Sequence, residues 1–183
     1  MMNIILKIER TRCEMQIIKY FILFLILLSS SMIGKILSKK YVHRLEELEE
    51  MRNCLNILKT KIKFTYEPIP EIFKEISKNT NKNIGNIFAN AKEKMISTTA
   101  NNAWEQAIEE STTNLKEEDR YVLKTLSKLL GQTDSEGQIS QIEITEKFLD
   151  TQIKEATEDK QKNEKLYTRL GTIMGLVIVI VLC

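Results

Sequence analysis

The chain carries two strongly apolar runs, one near each end, and a longer amphipathic stretch between them. The N-terminal run extends from Ile17 to Gly34 and contains a single charged residue, Lys19. A helix that crosses a bilayer needs about 20 mostly apolar residues, so we predict a first transmembrane helix over residues 17–37. A cleaved signal peptide is the competing interpretation, because the small residues Ser29–Ser31 could be recognised by a signal peptidase.

The C-terminal run is shorter and extends from Leu170 to Leu182. It reaches the length of a span only if the preceding residues join it and Arg169 extends to the lipid headgroups. Because Val177–Val181 are β-branched, a buried strand is the alternative. The position of the run behind a highly charged stretch favours a second transmembrane helix over residues 166–183.

Positive charges flank both predicted spans on the side of the intervening chain. They are Lys35, Lys39, Lys40 and Arg44 after the first span, and Lys160, Lys162, Lys165 and Arg169 before the second. Such residues stay in the cytosol, so residues 38–165 are predicted to be cytosolic. Lys7, Arg10 and Arg12 conflict with this orientation, and translation from Met15 would remove the conflict. Residues 1–16 are therefore treated as an N-terminal extension.

Each predicted span contains two small residues separated by three others. Ser30 and Gly34 form this pattern in the first span, and Gly171 and Gly175 form it in the second. Small residues at this spacing let two helix backbones approach closely in lipid. These four residues are our candidates for packing between the two membrane helices.

Between the spans, apolar residues recur every three or four positions, the period of an amphipathic helix. The first stripe consists of Leu45, Leu48, Met51, Leu55, Leu58 and Ile62. Pro68 and Pro70 should end this helix and begin the next one, with Glu71 in its first turn. We predict an all-α helical bundle flanked by N- and C-terminal transmembrane helices.

The later helices follow from similar stripes and from their ends. Ser97 or Thr98 could cap the helix that contains Trp104, which we expect to be a core residue. Asn114 and Glu117 fit a capping box for the next helix. Its C-terminal stop would be Gly131, and the last helix would start near Gln138 and continue into the second span.

Composition excludes several classes of protein. The net charge is +2, so the chain is not a polycation of the kind that binds nucleic acid non-specifically. The 3 cysteines lack the paired spacing of a disulfide framework. With 6 glycines and 2 prolines, the chain is poor in the residues that a turn-rich β fold needs.

The motifs of common catalytic and cofactor sites are missing from the sequence. His43 is the single histidine and lies in a basic stretch. No spacing typical of a zinc site or of a phosphate-binding loop occurs. Glu117, Glu118 and Asp119 are accounted for as favourable charges at a helix N-terminus. We therefore expect a protein that is not an enzyme and that holds no metal or cofactor.

Several short motifs occur in an order that resembles the stage III sporulation protein AB family of endospore-forming bacteria. The most specific are Pro68-Ile-Pro70-Glu71, Ala103-Trp104-Glu105 and the segment from Leu130 to Gln138. The resemblance covers essentially Met15 to Leu182. It implies a component of the assembly that joins mother cell and forespore, anchored in the outer forespore membrane with its soluble domain in the mother-cell cytoplasm.

The resemblance also implies partners. The family's soluble domain is similar to the helical domains of the platform protein F of type II secretion and type IV pilus systems, which meets a hexameric ATPase. The expected partners are the companion ATPase, stage III sporulation protein AA, and other membrane subunits, with self-association also compatible. The alternative function is a membrane-tethered binding or regulatory module unrelated to secretion.

If a partner docks on the soluble domain, two interruptions of the helical pattern are the candidate surface. One is the turn at Pro68, Pro70 and Glu71. The other is the loop that contains Gly131, Asp134 and Gln138. The competing interpretation is that the prolines and Gly131 serve only helix geometry.

Overall fold

The computed structural model describes residues 2–65 and 67–182, with side chains from residue 18 to residue 181. Its helices are α1 (Met2–Phe64), α2 (Ile69–Asn79), α3 (Lys82–Lys94), α4 (Ala100–Glu109), α5 (Glu117–Thr125), a 3-10 turn (Leu126–Lys128) and α6 (Ser135–Leu182). The described residues contain no β-strand, so the prediction of an all-α fold is confirmed. The β-branched C-terminal run is helical rather than a buried strand.

The chain divides into two compact units. Residues up to Lys40 and from Gln161 onward form one unit, which we call the helix pair. Tyr41–Lys160 forms the other, which we call the bundle. Of the predicted extension at residues 1–16, residues 2–16 lie within α1, and their side chains are outside the described part of the chain.

Within the bundle, α1 and α6 run antiparallel. Three ion pairs connect them in reverse order along the chain, namely Arg44–Asp159, Arg52–Asp150 and Lys59–Glu146. The stripe predicted on α1 faces the core, with Leu48, Leu55 and Leu58 fully buried. One end of the bundle is therefore where α1 ends and α6 begins.

Three aromatic side chains fill the middle of the bundle core. Phe73 from α2, Phe88 from α3 and Trp104 from α4 are all fully buried. The ring centroids are 5.1 Å apart for Phe73–Phe88 and Phe88–Trp104, and 5.4 Å apart for Phe73–Trp104. The indole Nε1 of Trp104 donates a hydrogen bond to the Leu123 carbonyl at 2.9 Å. Trp104 is thus a core residue, as the sequence predicts.

The ends of several helices differ from those read from the sequence. The cap of α4 is Thr99, whose side chain accepts a hydrogen bond from the Asn102 amide. The predicted cap at Asn114 is wrong, because α5 begins at Glu117 and the carboxylate of Asp119 accepts from the Lys116 amide at 2.8 Å. Helix α6 begins at Ser135, three residues before the predicted start.

Candidate partner-binding surface

The two interruptions singled out in the sequence meet at Gly131. Its φ is +71°, a left-handed conformation that glycine adopts without steric cost. A Cβ added at Gly131 would lie 3.2 Å from the Cβ of Ala100 and 3.7 Å from Cδ1 of Ile69. The beginnings of α2 and α4 therefore contact the α5–α6 connection directly. We call Pro68, Pro70, Glu71, Gly131, Asp134 and Gln138 the turn surface.

The first half of the turn surface begins helix α2. Pro68 has φ −60° and ψ 139° and precedes the first helical residue, and Pro70 lies in the first turn, where no intrahelical N–H is needed. The predicted helix start is confirmed. Glu71 is exposed, and its carboxylate accepts from Lys74 Nζ at 3.0 Å. This hydrogen bond, with the charge of Lys74, lowers the pKa of Glu71.

The second half of the turn surface begins helix α6. Asp134 Oδ1 accepts from the Gly137 amide at 2.9 Å, so Asp134 caps the helix. Gln138 Nε2 donates to the Thr133 carbonyl at 3.0 Å. The Oε1 atom of Gln138 is buried and has no hydrogen-bond partner within the described residues. Pro68, Glu71, Gly131 and Asp134 are exposed, whereas Pro70 and Gln138 are half-buried.

Two charged residues of α1, Arg44 and Glu47, are buried in the bundle. Arg44 was predicted to flank the first span, yet its side chain is 3% exposed and pairs with the fully buried Asp119. The two hydrogen bonds, from Nε and Nη2, measure 2.7 and 2.8 Å. The bond with Asp119 is the largest cause of the raised pKa of Arg44. Arg44 therefore connects α1 to α5 inside the bundle.

A second buried carboxylate, Glu47, lies on α1 one turn after His43 and is 3% exposed. It accepts hydrogen bonds from the Asn114 amide at 2.7 Å, from Asn114 Nδ2 at 3.0 Å and from Asn83 Nδ2 at 2.7 Å. This explains why Asn114 does not cap α5. No local pattern identifies these partners, because they are 36 and 67 positions away from Glu47.

The helix pair brings the four small residues together. A Cβ added at Gly34 would lie 2.5 Å from the Tyr167 carbonyl oxygen and 3.2 Å from the Cα of Gly171. Ser30 Oγ donates to the Gly171 carbonyl at 2.6 Å. A Cβ added at Gly175 would lie 3.2 Å from the Cβ of Ser30. At Gly34 and Gly171, the backbones of α1 and α6 are therefore too close for any side chain larger than a hydrogen atom.

The first apolar run meets the requirements of a membrane helix. Among the described residues, one helical stretch, Ile18–Phe64, contains a window that is long and apolar enough to cross a bilayer. Several large apolar side chains of that window are exposed, including Phe21, Phe24 and Met32. This apolar helix near the N-terminus indicates association with a membrane.

Comparisons with known proteins agree on one family. The family model described as "Stage III sporulation protein AB" matches residues 19–183. Stage III sporulation protein AB of Bacillus subtilis (strain 168) is 26% identical over 161 residues, which is 86% of this chain and 94% of that protein. A solved structure of a stage III sporulation protein AB superimposes with a TM-score of 0.61 at 23% identity. It covers 64% of this chain and 96% of its own.

Proposed function

Because the chain belongs to the stage III sporulation protein AB family, we propose that it is a structural membrane component of the mother cell–forespore assembly whose bundle docks a secretion-type ATPase. The role in sporulation is supported by the family match over residues 19–183. The membrane platform and the ATPase are our inference from the family's likeness to secretion platforms. A fold-level analogy of this kind needs a test at a defined site.

The proposal includes two membrane spans with the bundle in the cytosol. With Arg44 inside the bundle, Lys35, Lys39 and Lys40 remain as positive residues after the first span, and four more precede the second. They support a cytosolic bundle by the positive-inside rule. The contacts among Ser30, Gly34 and Gly171 support a second helix packed against the first.

This orientation has a direct test in intact cells. In a variant whose natural cysteines are serine, Thr112→Cys would place one exposed thiol on the bundle. We expect a membrane-impermeant maleimide to label it only after the cells are permeabilised. Labelling in intact cells, at the level of a known external control, would reject the cytosolic placement.

The turn surface is the proposed docking site for the ATPase. It joins the two interruptions through Gly131, lies where α1 ends and α6 begins, and exposes the carboxylates of Glu71 and Asp134. Phe64, at the end of α1, and Ile96, in the connection that precedes α4, are exposed apolar residues. A protein interface needs such apolar contacts within a polar rim.

The docking test must separate binding from helix capping. Asp134→Ala would remove the cap of α6, whereas Asp134→Asn keeps a capping oxygen and removes the charge. We expect the full-length chain with Glu71→Gln and Asp134→Asn to retain less of the stage III sporulation protein AA ATPase in a pull-down. Glu49→Gln, which neutralises an exposed carboxylate elsewhere on the bundle, should bind like the unaltered protein. Equal retention by all three proteins would exclude the turn surface.

A further inference from the structure

A groove separate from the turn surface lies between α5 and α6 of the bundle. Its volume is about 590 Å³, and it is lined by Tyr121, Val122, Phe148 and Gln152, with Glu117, Glu118 and Lys124 at its rim. All of these residues belong to the bundle. We call it the Tyr121 groove.

The two aromatic side chains that line the Tyr121 groove are exposed. Tyr121 is 69% exposed and Phe148 is 53% exposed, and Ile144, one turn before Phe148 on α6, is 44% exposed. By contrast, Phe73, Phe88 and Trp104 are fully buried. Aromatic residues are enriched at protein interfaces relative to the rest of the protein surface.

The rim of the groove carries two glutamates, Glu117 and Glu118, and one lysine, Lys124. Lys124 Nζ donates to Glu109 at 2.8 Å. Arg120 directs its guanidinium to the Ile108 and Ser111 carbonyls, and its Nε is 3.9 Å from Glu117. The side chain of Glu117 is 91% exposed. A partner that brings positive charge to this rim would therefore gain complementary contacts.

We propose that the Tyr121 groove binds an amphipathic helix of a partner protein, with apolar residues against Tyr121 and Phe148 and lysine or arginine beside Glu117 and Glu118. A helix suits the groove because its apolar side chains recur at every third or fourth position on one face, and that face can contact both Tyr121 and Phe148, which line the groove. The site is independent of the proposed ATPase docking on the turn surface, and either can fail without the other.

Two synthetic peptides test the proposal on the full-length chain in nanodiscs of zwitterionic lipid. Both have a leucine and phenylalanine face of about five helical turns, and they differ only in carrying lysine or glutamate beside that face. We expect the lysine peptide to bind and the glutamate peptide to bind much more weakly. Equal binding of the two peptides would overturn the proposal. So would binding of the lysine peptide to empty nanodiscs as strong as its binding to nanodiscs that contain the protein.

Variants locate the binding. Tyr121→Ala with Phe148→Ala should weaken the lysine peptide by about tenfold or more, because both anchors are lost. Glu117→Lys with Glu118→Lys should reverse the preference between the peptides, and the milder Glu117→Gln with Glu118→Gln should abolish it. Ile57→Ala, an exposed apolar residue of α1, is the matched control. Circular dichroism verifies that each variant is folded.

A second copy of the chain is the competing occupant. Light scattering of the full-length protein in detergent, with and without Phe148→Ala, distinguishes the two. A mass that is unchanged by the substitution supports a foreign partner. A dimer that dissociates on Phe148→Ala would show instead that the groove is a self-association surface.

Discussion

The side chains of Arg44 and Asp119 are both buried, and each is the counter-charge of the other. Burying two charges costs several kcal/mol per ion, and their attraction offsets this cost only when the geometry is good and other hydrogen bonds are satisfied. Here the pairing is bidentate, and the remaining groups are engaged: Asp119 accepts from the Lys116 amide, and Arg44 also donates to Asp159 at 3.1 Å. The pair ties the beginning of α5 to α1.

We expect Asp119→Ala to destabilise the bundle by about 3–5 kcal/mol, because the guanidinium of Arg44 would remain buried without its main counter-charge. Urea unfolding of the full-length protein in detergent measures the change. Glu118→Ala, at the neighbouring exposed position, should alter stability by no more than about 0.5 kcal/mol. Similar midpoints for the two variants would contradict the importance of the pair.

The thiol of Cys54 is buried beside Thr80, and burial is the main cause that raises its pKa to about 11. The folded bundle favours the neutral thiol, so its contribution to stability is present below the ordinary pKa of 9.0 and is lost as the pH rises through about 11. With Cys13 and Cys183 changed to serine, we expect Cys54 to react with a thiol reagent only as fast as the bundle opens. Labelling at the rate of a free thiol in the folded protein would contradict this.

The sequence does not reveal which charged residues are internal. Arg44 and Glu47 occur among other charged residues, and their spacing is that of a solvated face. Their burial depends on Asp119 and Asn114, which lie 75 and 67 positions away. Such partners are set by how helices pack, which a single sequence does not encode locally.

At the scale of single elements, the sequence predicts where most of the helices lie. The repeat of apolar residues every three or four positions identifies the buried faces of α1, α2 and α5, and the two prolines locate the start of α2. The helix ends are less predictable, since several polar residues compete for each cap. Thr99 rather than its two neighbours caps α4, and Asp134 rather than Gln138 marks the start of α6.

The small residues of the helix pair lead to a prediction about that element. In a variant without natural cysteines, Leu27→Cys and Gly175→Cys should form a disulfide, because a Cβ at Gly175 lies 3.4 Å from the Cα of Leu27. Adding Gly171→Ala should lower the yield, since its Cβ would be 2.8 Å from the Ser30 carbonyl oxygen. Met174→Ala, on an exposed face, is the control. A yield unaffected by Gly171→Ala would argue against the close packing.

On the scale of the whole molecule, the division into two units has an energetic basis. The members of the buried core cluster all fall between Leu45 and Ala156, which is inside the bundle. Three ion pairs also lie within the bundle, namely Arg44–Asp119, Arg52–Asp150 and Lys59–Glu146. The bundle therefore contains the contacts that an independently folding domain requires.

We expect a fragment of residues 41–160 to be soluble and to unfold in one cooperative transition, with a stability of roughly 5–15 kcal/mol. Chemical denaturation followed by circular dichroism measures it. A shorter fragment that ends at residue 134 lacks Ile142, Leu149 and Ala156 of the core and should not unfold cooperatively. A gradual transition for the longer fragment would mean that the bundle needs the helix pair to fold.

The architecture of the molecule can be predicted from its sequence more fully than its surfaces can. Length, periodicity and apolar runs predict an all-α chain with an apolar helix near its N-terminus, and ordered motifs predict the family. The approach of Gly131 to Ile69 and Ala100, and the exposure of Tyr121 and Phe148, emerge only from packing. The exposed fraction of an aromatic residue on an amphipathic helix depends on neighbours that are distant in sequence.

The aromatic contact at the centre of the bundle has a practical consequence for spectroscopy. Trp104 is the single tryptophan of the chain, it is fully buried, and its ring is in contact with two phenylalanines. Its fluorescence should emit at short wavelength in the folded protein and shift to the red when water reaches the indole. Because the rest of the sequence contains no tryptophan, this intrinsic signal reports on the bundle alone, even in the intact protein surrounded by detergent or lipid.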